Sequence, residues 1–424
     1  MRYFTAVLVA FHFLLSTGGG RGAAPAAAQD GAPRELRGVW VTRASIASPG
    51  TVDTLVTHAA ASGINALFVQ VRGRGDAYYQ SDLEPRGAMI AREPAAFDPL
   101  ARVIERAHAR GIAVHAWVNV NLVSDTGTLP ASREHIIRTH PEWLMVPRAL
   151  AARASSIDAR SPAYLDALVR WTRANIAKVE GLYASPIPRD ARAHAFAIAR
   201  DLARRYPLDG LHLDYVRFPN DSFDYSPGAL SEFRESLAAE LPAEELAQLD
   251  RRAAGTPTIF TDRFPDRWVA FRRSRVTWLV DGMSAAAREE RPGILISVAV
   301  VPDPDAALSI KLQDWPSWAA RGIVDAICPM AYAEDRAGYT AQIAAVHEAA
   351  GGVAVWTGIG SYRLTAAETA YRIREARDAG SAGVLLFSYD SVTSSRAGSR
   401  YLRDVAREVF QPVDREPSPV SREP

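Results

Sequence analysis

The chain has 424 residues, of which 48% are hydrophobic and 23% charged, enough apolar material for a large folded core. Its 49 basic and 48 acidic residues give a formal net charge of +1, and no polybasic cluster stands out. This balance argues against a nucleic-acid partner, because binding to phosphates requires a clear basic excess.

The N-terminus has the pattern of an export signal. Met1 and Arg2 precede an apolar stretch at residues 6–15, and the small residues 26–28 offer a cleavage site. A charged start, an apolar stretch too short to span a bilayer and a small-residue exit are typical of a secretory signal peptide. We therefore expect residues 1–28 to be removed, leaving a periplasmic or secreted protein without a membrane span. An uncleaved anchor is the alternative.

Short apolar runs rich in β-branched residues recur eight times, with helical patterns between them. The predicted strands cover residues 37–42, 66–72, 112–119, 210–215, 294–300, 324–330, 353–358 and 383–389. The predicted helices cover residues 52–61, 99–110, 164–179, 191–205, 268–288, 340–349 and 366–379. Apolar strands that alternate with helices indicate a parallel sheet covered on both sides, and eight units favour a closed (β/α)8 TIM barrel over an open doubly wound sheet.

Two connections are too long for a single βα unit. Residues 121–209 follow the third predicted strand, and residues 217–292 follow the fourth. Such connections lie on the catalytic face of a barrel, so we expect them to shape a binding cleft. The barrel domain is expected to span residues 35–410, and the segment 411–424, rich in Pro, Ser and Glu, is expected to be a disordered tail.

Polar and aromatic residues stand at the carboxyl ends of most predicted strands, where barrel active sites lie. Rings mixed with acids and amides suit sugars, whose C–H faces stack on rings while their hydroxyl groups form hydrogen bonds. We therefore expect a polysaccharide substrate. The predicted substrate-binding residues are Arg72, Asp76, His115, Trp117, Asn119, His212, Tyr215, Arg217, Tyr332, Trp356 and Tyr389.

Asp214 is the strongest catalytic candidate, because it ends the fourth predicted strand and Arg217 is close enough in sequence to hold it ionised. A structural aspartate that ties down a loop is the alternative role. Glycoside hydrolysis requires two carboxyl groups. The predicted partner of Asp214 is either Glu334, after the sixth strand, or Asp390, after the eighth, with Asp76 and Asp335 ranked behind them.

Metal and thiol chemistry have little support in the sequence. The candidate site contains two histidines without the spacing typical of metal ligands, so neither a metal nor another cofactor is expected. Cys328 is the single cysteine, so an internal disulfide is excluded. Its apolar surroundings indicate a small buried side chain rather than a nucleophile.

An ordered series of motifs resembles the glycosyl-hydrolase-like family ten, exported bacterial proteins with a (β/α)8 fold. The motifs are residues 35–42 (ELRGVWVT), 65–72 (NALFVQVR), 75–79 (GDAYY), 84–85 (EP), 115–119 (HAWVN), 140–143 (HPEW), 209–219 (DGLHLDYVRFP) and 328–332 (CPMAY). The resemblance spans residues 35–395 and implies a glycosidase-type barrel. One branch of the family implies cleavage of peptidoglycan glycan strands from which the peptides have been removed.

The sequence thus predicts an exported glycoside hydrolase that acts on a polysaccharide, with peptidoglycan glycan strands preferred. Two alternatives remain open at this point. One is a non-catalytic glycan-binding barrel of the cell envelope, which would present only one well-placed acid. The other is a metal-dependent polysaccharide deacetylase or hydrolase.

Overall fold

A computed structural model describes residues 35–395, 398 and 400–410. The predicted signal peptide and the predicted tail lie outside the described residues. Eight parallel strands close into a barrel in the order β1-β10-β9-β8-β7-β6-β3-β2, which confirms the (β/α)8 prediction. The strands of the chain are β1 Leu36–Val41, β2 Ala66–Arg72, β3 Ala113–Asn119, β4 Leu122–Ser124, β5 Leu182–Tyr183, β6 Gly210–Asp214, β7 Leu295–Val300, β8 Ala326–Ala331, β9 Ala354–Ile359 and β10 Gly383–Leu386.

Helices surround the barrel and also fill the two long connections. Many begin at a Pro that follows a capping side chain: Ser48 accepts a hydrogen bond from the Thr51 N–H ahead of α1, and Asp98 accepts one from the Ala101 N–H ahead of α2. The helices are α1 Pro49–Ala61, α2 Pro99–His108, α3 Ile136–Thr139, α4 Ala151–Ser155, α5 Pro162–Ala174, α6 Arg189–Arg205, α7 Pro227–Ala238, α8 Ala243–Ala253, α9 Ile259–Arg263, α10 Pro265–Glu290, α11 Pro304–Ser309, α12 Trp315–Ala320, α13 Arg336–Ala349, α14 Ala366–Asp378, α15 Tyr389–Thr393 and α16 Arg400–Val409. No described helix has both the length and the apolar character required to cross a bilayer.

The barrel interior is filled by large side chains that alternate with the outward-facing residues of each strand. Its apolar cluster includes Trp40, Phe68, Trp117, Trp356 and Cys328. A Cβ on Gly358 would lie 2.8 Å from the Trp40 ring, so glycine lets this indole pack directly against β9. Burial raises the pKa of the Cys328 thiol well above its usual value, which keeps the thiol protonated.

The two long connections follow β3 and β6, which are neighbours in the barrel. The first carries α3 to α6 and the antiparallel pair of β4 and β5, and it has a separate apolar cluster that includes Tyr164, Leu168 and Leu182. The second carries α7 to α10. Because the register of β3 and β6 sets Asn119 opposite Asp214, both insertions leave the barrel beside these two residues.

Candidate active site

A cavity of about 560 Å³ opens at the carboxyl ends of the barrel strands. Seven strands contribute to it, either from their last residues or from the loops that follow them. Its lining residues are Trp40, Thr42, Arg43, Ala44, Gln70, Arg74, Met89, Trp117, Asn119, Asp214, Tyr215, Arg217, Ala299, Met330, Tyr332 and Phe387. This is the face on which barrel enzymes place their catalytic groups.

Asp214 is the last residue of β6, and among the described lining residues it is the one carboxylate. It is 8% exposed, the Trp117 Nε1–H donates to its Oδ2 at 3.1 Å, and the backbone N–H of Tyr215 donates to its Oδ1 at 2.6 Å. Burial raises the pKa of Asp214, although the positive charge of Arg217 and these two hydrogen bonds act in the opposite direction. A rigidly held carboxyl group with a raised pKa is suited to donating a proton.

The chain turns sharply after Asp214. Tyr215 has a φ of 54°, in the left-handed region that costs a bulky residue about 1 kcal/mol or more. This conformation brings Tyr215 and Arg217 into the cavity together, with the Arg217 guanidinium 4.6 Å from the centre of the Tyr215 ring. The strained residue therefore lies in the sequence between Asp214 and Arg217, two of the residues that line the cavity.

Arg217 connects the cavity to Glu180, an acid that was not among the residues predicted from the sequence. The Arg217 Nη2 donates to Glu180 Oε1 at 3.0 Å, and the Tyr183 hydroxyl donates to Glu180 Oε2 at 2.7 Å. The Glu180 side chain is 43% exposed and lies outside the cavity lining. Its partial burial on its own would raise its pKa, but the charge of Arg217 and the Tyr183 hydrogen bond lower the pKa overall. Glu180 lies two residues before β5 in the first insertion, where no motif or strand end marks it.

Aromatic rings and a free amide oxygen form the rest of the surface. Tyr332 stacks on Phe387 with ring centres 5.7 Å apart, and Trp40 meets Phe387 edge-on at 5.9 Å. The Asn119 Nδ2 donates to the carbonyl of Gly73, whereas its Oδ1 is buried without a partner. Such a surface can stack on sugar faces and accept a hydrogen bond from a sugar N–H or O–H.

Three predicted contact residues lie inside the barrel, beneath the cavity. His212 accepts a hydrogen bond from Trp40 Nε1 at 3.0 Å, and its Nδ1 lies 2.9 Å from Ser297 Oγ. His115 stacks on Phe68 at 4.3 Å, and Trp356 packs edge-on against His115. Burial holds the pKa of His212 well below its usual value, so this histidine is a neutral support for Trp40.

Arg72, Asp76 and Tyr389 also have protein partners instead of a place in the cavity lining. Arg72 forms a buried ion pair with Glu84 at 2.6 Å and donates to the carbonyls of Asn119 and Val120 at the end of β3. Asp76 accepts a hydrogen bond from the backbone N–H of Arg74 at 2.9 Å, and the Tyr389 hydroxyl lies 2.9 Å from a ring nitrogen of His58. These residues hold the loops that carry the lining residues.

Neither predicted partner of Asp214 lines the cavity. The Glu334 side chain is 81% exposed and pairs with Arg363 at 2.9 Å, because the chain has already left the barrel on its way into α13. Asp390 accepts hydrogen bonds from the Thr42 N–H at 2.7 Å and the Ser45 hydroxyl at 2.6 Å, so it fastens the loop after β1. The structure does not bring either acid together with Asp214.

Metal-ligating side chains are not clustered in the described part of the chain. No group of three or more His, Cys, Asp or Glu residues there is arranged to hold a metal ion. The cavity lining itself offers carboxyl, guanidinium, amide, hydroxyl and aromatic side chains.

A closed (β/α)8 barrel with an acid and several aromatic rings at its carboxyl-terminal face has the architecture of glycoside-hydrolase barrels. The profile of the glycosyl hydrolase-like 10 family matches residues 35–371, and the chain belongs to this family. This membership confirms the family resemblance and supports a glycosidase activity for the barrel.

Two curated relatives are similar in sequence. Glycosyl hydrolase YngK of Bacillus subtilis is 31% identical over 134 residues, which cover 26% of this chain and 25% of the relative. Glycosyl hydrolase DigH of Escherichia coli K12 is 22% identical over 348 residues, which cover 73% of this chain and 68% of the relative. The chain thus matches only a quarter of the length of the Bacillus relative.

Solved structures share the fold at low identity. The glycoside hydrolase domain of PgaB (BpsB) from Bordetella bronchiseptica has a TM-score of 0.59 and 16% identity, covering 90% of this chain and 100% of that chain. Alpha-L-fucosidase isoenzyme 2 from Paenibacillus thiaminolyticus has a TM-score of 0.57 and 14% identity, covering 89% of this chain and 49% of that chain. Both structures therefore share the barrel fold over about nine-tenths of this chain.

Proposed function

We propose that this protein is an exported glycoside hydrolase that cleaves a polysaccharide, with peptidoglycan glycan strands as the preferred substrate. The observation that carries the proposal is Asp214, a buried strand-end carboxyl with a raised pKa in an aromatic-lined cavity. Membership of a glycosyl hydrolase-like family supports the reaction class. The signal-peptide pattern at residues 1–28 supports export, and the family resemblance supports peptidoglycan.

In the proposed reaction, Asp214 donates its proton to the oxygen of the glycosidic bond as that bond breaks. Glu180 accepts a proton from a water molecule, whose hydroxyl adds to the anomeric carbon. The assignment follows the opposite pKa shifts of the two acids, since the acid with the raised pKa donates and the acid with the lowered pKa accepts. Arg217 couples the two acids, because it donates a hydrogen bond to Glu180 and its charge lowers the pKa of Asp214.

The aromatic residues hold the sugar chain in this scheme. Trp40, Trp117, Tyr332 and Phe387 offer ring faces and edges to the C–H surfaces of the sugars. Asn119 offers its buried, unpartnered Oδ1 to an N–H or O–H donor of the sugar. N-acetylated sugars carry both kinds of donor, which is consistent with a peptidoglycan glycan.

The test is digestion of purified peptidoglycan, intact and peptide-stripped, followed by mass analysis of the products. We expect cleavage by the wild type and a loss of at least about 100-fold in kcat for Asp214→Asn and Glu180→Gln, the contribution expected of a general acid or base. Glu334→Gln is the matched control, because its carboxyl is exposed and paired on the surface, and it should retain activity. Full activity in a folded Asp214→Asn variant would show the site assignment to be wrong.

A glycan-binding barrel without catalysis is the second candidate. It is favoured by one observation, that Asp214 is the one carboxylate among the described residues lining the cavity. This candidate predicts that the wild type binds peptide-stripped glycan strands tightly and releases no products in long incubations. Product formation that depends on Asp214 decides against it.

Export is tested separately from activity. The full-length chain is expressed in a bacterial host, and the N-terminus of the protein recovered from the periplasm and medium is determined. We expect a mature N-terminus close to residue 29. Recovery of the uncleaved chain from the cytoplasm alone would contradict the proposed localisation.

A further inference from the structure

The cavity carries more positive charge than bond cleavage alone requires. Arg43, Arg74 and Arg217 line it, against the carboxylate of Asp214 in the lining and that of Glu180, which pairs with Arg217. Glycoside hydrolysis passes through a transition state with positive charge on the sugar ring, which nearby guanidinium groups oppose. The excess is therefore useful only with a substrate that brings negative charge of its own.

Two nitrogen atoms of the Arg217 guanidinium group have no hydrogen-bond acceptor. The residue is 7% exposed and one of its nitrogens donates to Glu180, but its Nε and Nη1 are buried without a partner. Leaving N–H groups of a buried cation unpaired costs free energy, so proteins rarely keep such groups without a use. Because Arg217 lines the cavity, an acceptor bound there can pair with its guanidinium.

Arg74, in the loop after β2, repeats this arrangement. Its Nη1 donates to the carbonyl of Gly73, and its Nε is buried without a partner. Both Arg74 and Arg217 act electrostatically on Asp214 and Tyr215, so the two guanidinium groups converge on one region of the cavity.

The acids of the site do not use these donors. The Asp214 oxygens are already bonded to Trp117 and to the backbone N–H of Tyr215, and its pKa stays raised despite the nearby arginines. Positive charge therefore remains available to a ligand.

We propose that Arg217 and Arg74 form a subsite that binds a carboxylate group carried by a sugar of the substrate, next to the bond that is cleaved. The planar fork of a guanidinium matches the two oxygens of a carboxylate, which gives short, charge-assisted hydrogen bonds. The carboxylate has two possible sources, the lactyl ether of a peptide-stripped peptidoglycan strand or the ring carboxylate of a uronic acid. The inference rests on the proposed function for its substrate class.

Binding to the folded Asp214→Asn variant, measured by isothermal titration calorimetry, tests the subsite independently of hydrolysis. Four oligosaccharides of equal length are compared: peptide-stripped glycan, the same glycan with its carboxyl groups reduced to alcohols, an oligogalacturonide and a chitin oligosaccharide. We expect the stripped glycan to bind about 10- to 100-fold more tightly than its reduced form, as for hydrogen bonds to a charged group. The oligogalacturonide shows which carboxylate the subsite accepts.

Arginine substitutions in the Asp214→Asn variant test which side chains bind the carboxylate. Arg217→Gln and Arg74→Gln should each weaken binding of the unreduced glycan more than binding of the reduced glycan, so that the ratio of the two affinities falls. Arg363→Gln is the control, because Arg363 pairs with the exposed Glu334. Equal binding of the two glycans, or equal weakening of both by Arg217→Gln, would overturn the subsite.

The two proposals fail in different ways. If the wild type cleaves reduced and unreduced glycans at equal kcat/KM and binds them equally, the subsite is wrong and the proposed hydrolysis stands. If carboxylate-selective binding is found but no glycan is cleaved, the subsite stands and the proposed hydrolysis is wrong.

Discussion

The buried ion pair of Arg72 and Glu84 makes a quantitative prediction about stability. Glu84 has a fully buried side chain and accepts three hydrogen bonds from the Arg72 guanidinium, at 2.6 to 2.9 Å. The same guanidinium donates to the carbonyls of Asn119 and Val120. Glu84→Gln would leave a buried cation without its counter-ion next to the end of β3, which carries Asn119.

The expected loss follows from the geometry and from the pKa of Glu84. Removing one partner of a buried ion pair costs about 3–5 kcal/mol. Burial would raise the pKa of Glu84, but Arg72, helped by His194, lowers it from 4.5 to about 2. This difference between the unfolded-state and folded-state pKa values corresponds to about 3 kcal/mol of folding free energy, which agrees with the cost of removing one partner of a buried ion pair.

The sign of the pH dependence follows from the lowered pKa. Stability contributed by Glu84 is fully present above its unfolded-state pKa of about 4.5 and is lost as the pH falls from there through about 2. The difference in unfolding free energy between wild type and Glu84→Gln should therefore be largest near pH 7. It should shrink as the solution is acidified through this range.

Guanidinium denaturation followed by tryptophan fluorescence measures this difference. Glu334→Gln is the matched control, since its ion pair with Arg363 is exposed and should contribute less than about 1 kcal/mol. A loss below about 1 kcal/mol in Glu84→Gln at pH 7, or a loss equal to that of the control, would refute the reasoning.

Three further predictions concern Trp117, Asp390 and His115. Trp117→Phe removes a hydrogen bond that lowers the pKa of Asp214, so the basic limb of the pH–kcat profile should move to higher pH. A shift to lower pH would exclude Asp214 as the acid. Asp390→Ala leaves the Thr42 N–H and the Ser45 hydroxyl without their acceptor, so the free energy of unfolding should fall by about 1–3 kcal/mol while kcat stays within about tenfold. A far larger loss of kcat would show that Asp390 is catalytic. Burial lowers the pKa of His115 from 6.5 to about 4, so the free energy of unfolding should fall as the pH drops through this interval. Acid denaturation curves should show a shallower decline for His115→Gln than for the wild type.

The barrel was predictable because its strands are apolar, regularly spaced and bounded by Gly, Pro or Asp. Asp214, Trp117, Asn119, Tyr332 and Arg217 line the cavity, as their strand-end positions indicated. The short strands β4 and β5 were missed, since two or three residues carry no usable periodicity.

Depth within the barrel was the main feature that the sequence did not reveal. His212 shares the inward face of β6 with Asp214, but it lies two residues earlier and therefore one layer below the cavity. Arg72 also ends a strand, yet it bonds to Glu84, a partner that only the folded loop brings near. Glu180 was missed for the opposite reason, because a loop residue outside every motif reaches the site through Arg217.

Cleavage of peptide-stripped glycan strands in ¹⁸O-labelled water tests the central claim, hydrolysis that depends on Asp214, most directly. In the wild type we expect each new reducing end to carry one ¹⁸O atom, because water adds to the anomeric carbon. In Asp214→Asn the labelled product should fall by at least about 100-fold. Products without the label, or undiminished labelled product in a folded Asp214→Asn variant, would contradict the account.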